Sequence, residues 1–345
     1  MVASVSVQVL NYNGKLFLKD CIDSLLKQDY PNFELVFMDN ASTDGSMEFI
    51  EKEYKDKINK KKLKLIKFKK NYGFTGAYNR SYKDAKTDYV LLLNNDIIVP
   101  RKNFISSLMK TAQKEGAEIV GGVDWPVNKK IEKVEKSCTV NILGFDTPNI
   151  INEKEVFYVG GGCCLIEKKK INFLFLEKYF AYGEDVYFGW RAKIRGYKVI
   201  LDKNAIYLHY GSGTNTPKSH FVRINAERNR LTNLLIFFEA KTLLKIFPLF
   251  MFELLIKTIY SAKYYPELFS APFSALWWNI ANARFWIKNR RLVQKERKVK
   301  DKDLIKLMSY KVFPEHILTK IAKKLNSLVR SYCKIVGLRT YDINQ

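Results

Sequence analysis

Twelve residues, "YVLLLNNDIIVP" at 89–100, set a chemical problem. Residues 89–93 form a short apolar run of the kind that crosses a sheet covered on both faces. Asn94, Asn95 and Asp96 then interrupt it, and the chain turns apolar again up to Pro100. A carboxylate set among apolar neighbours without a partner is costly, so something must meet Asp96. The same grammar recurs upstream. Asn11-Tyr12-Asn13 follows "VSVQVL", Asp39-Asn40-Ala41-Ser42-Thr43-Asp44-Gly45 follows "FELVFM", and Asn71-Tyr72-Gly73-Phe74 comes shortly after "LKLIKF". Asn, Asp and Gly are good turn formers, so one such cluster says little. Four of them at the carboxyl ends of strands would together line a cleft.

The elements that must position these clusters alternate in type. Strands are expected at 5–10, 33–38, 63–68, 89–93 and 117–123. Between them, Leu18, Cys21, Ile22, Leu25 and Leu26 recur at helical spacing in 15–28, a second helix starts near Ser46 with Ser42, Thr43 and Asp44 as caps, and a third runs near 75–86. Alternation of this kind predicts an α/β fold with a mainly parallel sheet and ligands at the carboxyl ends of its strands. The middle is less regular. "VFYVGGGCCLI" (156–166) reads as a strand broken by Gly160, Gly161 and Gly162, and a helix is expected from Asp185 to about Arg195, stopped by Gly196. A strand at 197–201 follows, and a separate short one delivers His209 into the loop "YGSGT".

With 345 residues, 47% of them hydrophobic and 14% aromatic, the chain can bury a large core and is not disordered. Lys and Arg total 59 against 35 Asp and Glu, a formal charge of +24 that suits a polyanionic partner, nucleic acid or acidic membrane, unless lysine is raised by composition alone. Five cysteines without a C-x-x-C spacing read as reduced, packed residues of a cytoplasmic protein. The N-terminus starts directly with a strand and lacks the pattern of a signal peptide. From about 231 the chain becomes helical, apolar and aromatic, yet its uncharged runs fall well short of the roughly 18 residues of a membrane span. Trp277, Trp278 and Trp286 beside the basic run 288–302 suggest an interfacial segment for an anionic membrane.

"VSVQVLNYNG", "VFMDNASTDGS", "NYGFTGAYN", "LLLNNDI", "GGGCCLI", "YGEDVYFGWRAKIRGYKV" and "LHYGS" resemble, in that order, the family-2 glycosyltransferases, in particular their rhamnosyltransferase-like and galactofuranosyltransferase-like branch. The resemblance covers about residues 4–230. It implies a GT-A domain at 1–230, a nucleotide-sugar donor, a divalent metal and inversion at the anomeric carbon; 231–345 lies outside the match and is expected from its composition to be a helical, membrane-associating region.

On that resemblance Asp39 accepts the imide N–H of a uracil or thymine base, Asn11 and Asn13 line the same pocket, and Asn71 and Gly73 lie beside the nucleotide. Asn79 is a further, weaker candidate. Asp96 matches the last acid of the family's metal motif and His209 a histidine reaching the same Mn²⁺ or Mg²⁺. Asn94 and Asn95 stand where an acid is common, which implies a low-charge site completed by the donor's phosphates, with Asn95 bonding the ribose or a metal-bound water. Asp185 occupies the position of the base that takes the acceptor's proton, with Glu184 supporting it. Tyr187 replaces a second acid that many relatives carry.

Gly161 and Gly162 leave room for the acceptor, and Trp190 either stacks on a sugar or belongs to the core. Arg191 pairs with Glu184 or with phosphate, and Arg228 and Asn229 read as helix surface. The expected activity is transfer of a sugar from a UDP- or dTDP-linked donor to a saccharide or lipid-linked saccharide, by an enzyme peripheral on the cytoplasmic face of the membrane and without nucleic acid. The alternatives are a nucleotidyltransferase, although "NYNGKLF" is not its Gly-rich basic loop, a basic nucleic-acid-binding protein, and a non-catalytic sugar-binding relative.

Overall fold

The computed structural model describes residues 2–131, 138–147, 154–211, 219–314 and 319–343. Its strands are β1 (Val5–Asn11), β2 (Phe33–Asp39), β3 (Leu63–Lys67), β4 (Tyr89–Asn94), β5 (Ile97–Ile98), β6 (Ile119–Pro126), β7 (Thr139–Val140), β8 (Asp146–Thr147), β9 (Cys163–Glu167) and β10 (Val199–His209). The helices are α1 (Lys15–Leu26), α2 (Ser46–Glu53), α3 (Lys55–Asn59), α4 (Gly73–Asp84), α5 (Phe104–Glu115), α6 (Glu184–Ile194), α7 (His220–Phe237), α8 (Ala240–Tyr264), α9 (Ala271–Ala281), α10 (Ala283–Glu296), α11 (Asp301–Leu304) and α12 (Thr319–Val336).

Two compact units share these elements. The first is Met1–Glu135, Val159–Asp185 and Lys198–Pro217; the second is Lys136–Tyr158, Val186–Tyr197 and Lys218–Gln345. The expected divide at residue 230 is therefore replaced: it falls inside α7, and the second unit also draws on two segments from the middle of the chain.

The first unit holds an eight-stranded sheet in the order β3-β2-β1-β4-β9-β6-β10-β5. β3, β2, β1 and β4 are all parallel, whereas β9 runs antiparallel to β4 and β6, and β5 antiparallel to β10. β1 is buried along its whole length, as an apolar run covered on both faces should be. The chain leaves β1 to one side for β2 and β3 and returns to its other side for β4, so a topological switch point lies between the carboxyl ends of β1 and β4. Val7, Val9, Phe37, Leu91 and Leu93, with Leu18 and Ile22 of α1, belong to the core that fixes this register.

Three local expectations change. Only Cys163–Glu167 of 156–166 is strand, because the glycines form a turn closed by Cys163 N–H donating to the Gly160 carbonyl at 3.2 Å. The two strands expected after Gly196 are one, β10, with a register shift between Leu201 and Ile206. There Asp202 accepts from Asn204 N–H at 2.9 Å and from the Ser107 hydroxyl at 2.6 Å, and the chain makes a bulge instead of a break. Finally, α2 is preceded by Gly45 in the left-handed region, and Asp44 accepts from Ser46 N–H at 3.0 Å and Lys15 N–H at 2.9 Å, tying two loops together.

In the second unit Trp190 is fully buried, stacked on Phe237 with centroids 5.1 Å apart and edge-on to Phe157 and Phe238. Arg230, also buried, is paired with Glu227 and donates to the Leu143 carbonyl at 2.8 Å. The basic run 288–302 is partly internal. Arg290 donates to the carbonyls of Leu235 at 2.5 Å and Phe238 at 2.6 Å, and Arg297 to that of Phe237, so guanidinium groups satisfy the orphan carbonyls at the end of α7. Cys21, Cys163, Cys164 and Cys333 are buried thiols, and burial pushes the Cys163 thiol up to about 12.

Candidate active site

The polar clusters meet at the carboxyl edge of the first unit's sheet. Asn11 ends β1 opposite Asp39 at the end of β2. Its side-chain N–H donates to Asp39 Oδ1 at 3.1 Å and to Ser42 Oγ at 3.0 Å, and its Oδ1 accepts from Asn95 Nδ2 at 2.6 Å. Asn95 thus crosses the β1/β4 switch point. Asp39 is buried and its Oδ2 accepts from Ser42 N–H at 3.0 Å, closing an Asx-turn. Asn13, at a positive φ of 52°, accepts from Thr43 N–H at 2.8 Å.

A second tie brings in the β3–α4 loop. Asn40, which sequence reasoning passed over, donates to Asn71 Oδ1 at 2.9 Å and accepts from Tyr72 N–H at 2.9 Å. Asn71 Oδ1 also accepts from Gly73 N–H at 2.7 Å. Gly73 has φ +70°, and a Cβ there would sit 2.6 Å from the Phe180 carbonyl oxygen, so both the backbone and the space require glycine. Asn79 does not face this edge: it donates to the Phe175 carbonyl at 2.9 Å and accepts from Phe175 N–H at 3.1 Å, clamping a loop.

Asn95 and Asp96 form the turn between β4 and β5, and β5 then pairs with β10 so that Ile97 faces His209. Tyr210 N–H donates to the Asp96 carbonyl at 3.0 Å. His209 Nε2 consequently lies 3.2 Å from Asp96 Oδ1, off the line a hydrogen bond needs, and that buried oxygen has no hydrogen-bond partner among the described residues. The other ring nitrogen, Nδ1, is 3.1 Å from Asp124 Oδ2 at the end of β6. Burial works to lower the His209 pKa, but the carboxylates of Asp124 and then Asp96 outweigh it and raise the ring to about 10, so a cation on Nε2 would have to displace a proton.

A buried carboxylate oxygen with nothing bonded to it, beside an imidazole nitrogen, is a donor set that suits Mn²⁺ or Mg²⁺ completed by phosphate and water oxygens. Among the described residues no group of three or more His, Cys, Asp or Glu side chains is arranged to hold a metal. Asp96 and His209 are thus two candidate donors. Asp124 comes just after the apolar run 117–123 expected as a strand, and the rule applied to the other clusters could have found it. Of the "YGSGT" loop, Ser212, Gly213 and Thr214 lie outside the described residues.

The third cluster is the start of α6. Gly162 accepts from Asn94 N–H at 3.4 Å, and its Cα faces Tyr207, whose hydroxyl would be 3.0 Å from a Cβ added there. A Cβ on Gly161 would be 3.7 Å from Glu184 Oε1. The glycine turn therefore joins the Asn94-Asn95-Asp96 turn to Glu184 and Asp185. Glu184 is buried and its Oε2 lacks a hydrogen-bond partner among the described residues, while Asp185 is half-buried. Burial, then the Asp185 charge, pushes Glu184 up to about 8. Phe180 and Tyr182, just before them, have φ of 64° and 70°, strain held by Thr75 N–H donating to the Phe180 carbonyl at 3.2 Å.

Three expectations fail on burial or pairing. Trp190 lies in the aromatic core of the second unit, where its face is covered by Phe237, and it offers no surface to a sugar. Arg191 pairs with Glu296, its Nη2 at 2.9 Å from Oε1, and not with Glu184. Arg228 stacks over Trp278 at 4.6 Å and Asn229 is fully buried, so neither is plain helix surface.

Residues 6–175 match the family described as Glycosyl transferase family 2. Glycosyltransferase GlyG of Streptococcus pneumoniae serotype 4 is 30% identical over 118 residues, 34% of this chain and 38% of GlyG. The poly(ribitol-phosphate) beta-N-acetylglucosaminyltransferase TarS of Staphylococcus aureus is 36% identical over 94 residues, 26% of this chain and 16% of TarS. The matched stretch thus spans well under two thirds of either relative. In structure, S. aureus TarS 1-349 in complex with UDP-GlcNAc superposes with a TM-score of 0.52 at 18% identity, covering 96% of this chain and 92% of that one. The mannosyltransferase PcManGT from Pyrobaculum calidifontis, in complex with GDP-Man and Mn²⁺, superposes with a TM-score of 0.50 at 15% identity, covering 98% and 85%. The α/β fold is of the GT-A type, with a mostly parallel sheet.

Proposed function

We propose that this protein is an inverting, metal-dependent glycosyltransferase that moves a sugar from a UDP- or dTDP-linked donor to a hydroxyl of a saccharide or lipid-linked saccharide, at the cytoplasmic face of a membrane. The observation that carries the reading is the hydrogen-bonded chain Asp39–Asn11–Asn95 across the β1/β4 switch point, beside Asp96 and His209. Switch points of this kind are where open parallel sheets bind nucleotides. Donor binding is supported by TarS and PcManGT, whose solved complexes hold UDP-GlcNAc and GDP-Man.

Asp39 keeps carboxylate lone pairs beyond the two hydrogen bonds it accepts, enough to take the imide N–H of a pyrimidine. Asp96 and His209 would hold a divalent cation, whose chemistry is to offset the negative charge of the departing nucleoside diphosphate. Asp185 takes the proton of the acceptor hydroxyl while its oxygen bonds to the anomeric carbon and the bond to the diphosphate breaks on the opposite face. Glu184, protonated up to about pH 8, does not compete for that role at neutral pH. Glu184 thereby leaves Asp185 as the ionised carboxylate of the pair.

The test is incubation with a panel of UDP- and dTDP-sugars, Mn²⁺ and membrane lipid extract, read by mass spectrometry for a hexose or deoxyhexose increment. Asp185→Asn should keep donor affinity and lose about 10²–10⁴-fold in transfer rate. Undiminished transfer removes Asp185 as the base, and donor binding without any increment or nucleotide release reduces the protein to a sugar-nucleotide binder.

A further inference from the structure

Helix α8 buries Thr242, Ile246, Leu249 and Glu253. Its other side is not polar. Leu244, Phe247, Met251, Leu255 and Ile259 are 75%, 59%, 46%, 57% and 57% exposed. Steps of three and four residues keep them on one stripe, about 22 Å long at 1.5 Å per residue. Helix α12 repeats the arrangement: Ile321, Leu328 and Ile335, each two turns apart, are 61%, 60% and 83% exposed. The two helices touch within the second unit, where the Tyr332 hydroxyl donates to the Lys245 carbonyl at 2.9 Å. Each helix thus presents an exposed apolar row of its own.

The charge around these rows has one sign. Lys241, Lys245 and Lys263 are exposed at the two ends of the α8 stripe, and Lys320, Lys323, Lys324 and Lys334 are exposed on α12. The sole carboxylate of α8, Glu253, is turned inward to Lys257 at 2.8 Å, and α12 contains none. We propose that this lysine-flanked apolar face of α8 and α12 docks on an anionic lipid bilayer, with α8 lying in the headgroup plane. Lysines meet lipid phosphates there while Leu, Phe and Met enter the acyl boundary, the division of labour of an interfacial helix.

Two other occupants fit less well. A second copy would set lysine against lysine in a chain of net charge +24, and a nucleic acid would leave the apolar stripe unused against phosphates. No helix among the described residues is long and apolar enough to cross a membrane, so the contact is a lying one. The face differs from the one read in the sequence at Trp277, Trp278, Trp286 and 288–302. Trp286 donates internally to the Asn279 carbonyl at 3.0 Å, and Arg290 and Arg297 cap α7. The inference deepens the proposed function and rests on it only for a membrane-borne acceptor.

The test is co-sedimentation of the full chain with phosphatidylcholine vesicles, with and without phosphatidylglycerol. Binding should require the anionic lipid and fall with added salt. The double variant Phe247→Glu/Leu255→Glu should bind at least about tenfold more weakly, since each change removes an apolar anchor and adds a repelled charge. Both positions are exposed, so thermal melting and UDP binding should not move; Lys241→Glu/Lys245→Glu is a second pair for the same readout. Equal binding to neutral vesicles, no binding at all, or full binding by both variants overturns the proposal. A solution dimer dispersed by the first variant assigns the face to a second copy. Sedimentation retained in a protein that transfers no sugar counts against the catalytic reading alone.

Discussion

His209 Nε2 lies 3.2 Å from Asp96 Oδ1 although the two residues are 113 apart in the chain, and the ring is held from behind by Asp124. A carboxylate on the far nitrogen fixes which nitrogen faces Asp96 and how the ring is turned. Asp96→Ala should abolish Mn²⁺ binding measurable by calorimetry in the presence of nucleoside diphosphate. Asp124→Asn, which alters only the support, should weaken it about 10–100-fold. Unchanged titrations for both would remove the metal from this edge.

Glu184 provides a pH signature. Its carboxyl is raised from 4.5 to about 8 by burial and then by Asp185, so the folded protein binds more protons than the unfolded chain between those values. The stability this group contributes is fully present below about pH 4.5 and is lost as pH rises through about 8. Within that window its slope is at most about 1.4 kcal/mol per pH unit. Glu184→Gln should flatten the wild-type decline in urea midpoint between the two ends of the window. Parallel profiles for the two proteins would show that Glu184 ionises normally.

Gly14→Ala probes the switch-point network by sterics. A Cβ at Gly14 would fall 1.9 Å from Asn95 Nδ2 and 2.8 Å from Asn11 Oδ1, and must displace the Asn95–Asn11 hydrogen bond. The Gly14 φ is −117°, which alanine tolerates, so the fold should hold. Losing a hydrogen bond worth about 1 kcal/mol should weaken nucleotide binding roughly fivefold. Equal affinity would mean that Asn95 does not shape the nucleotide pocket.

Trp190→Ala separates core from sugar contact. With its ring wholly inside the Phe157–Phe237–Phe238 cluster, truncation should cost about 3–5 kcal/mol of stability. A variant that melts like wild type but shows a raised acceptor KM would restore the stacking role.

Much of this carboxyl edge of the sheet was legible locally. An apolar run followed by Asn or Asp marks a strand end whether or not its neighbours are known, because side-chain burial along a strand and turn chemistry after it depend on a few consecutive residues. Asn11, Asp39, Asn71, Asn95, Asp96 and His209 were all placed at that edge from such patterns and from the order of motifs. Asn40 and Asp124 obey the same rule, but their use depends on partners 31 and 85 residues away.

The sequence by itself determined the alternating α/β order, the four polar strand ends and the basic, aromatic character of the C-terminal third. Tertiary structure alone decided which aromatic and basic residues are spent inside. Trp190, Arg290 and Arg297 differ in no local respect from side chains that could meet a sugar or a lipid. They are buried or bonded because of which helices pack together. The outward apolar row of α8 became readable by the same route, since a helix apolar nearly all round does not announce which side its own fold will cover.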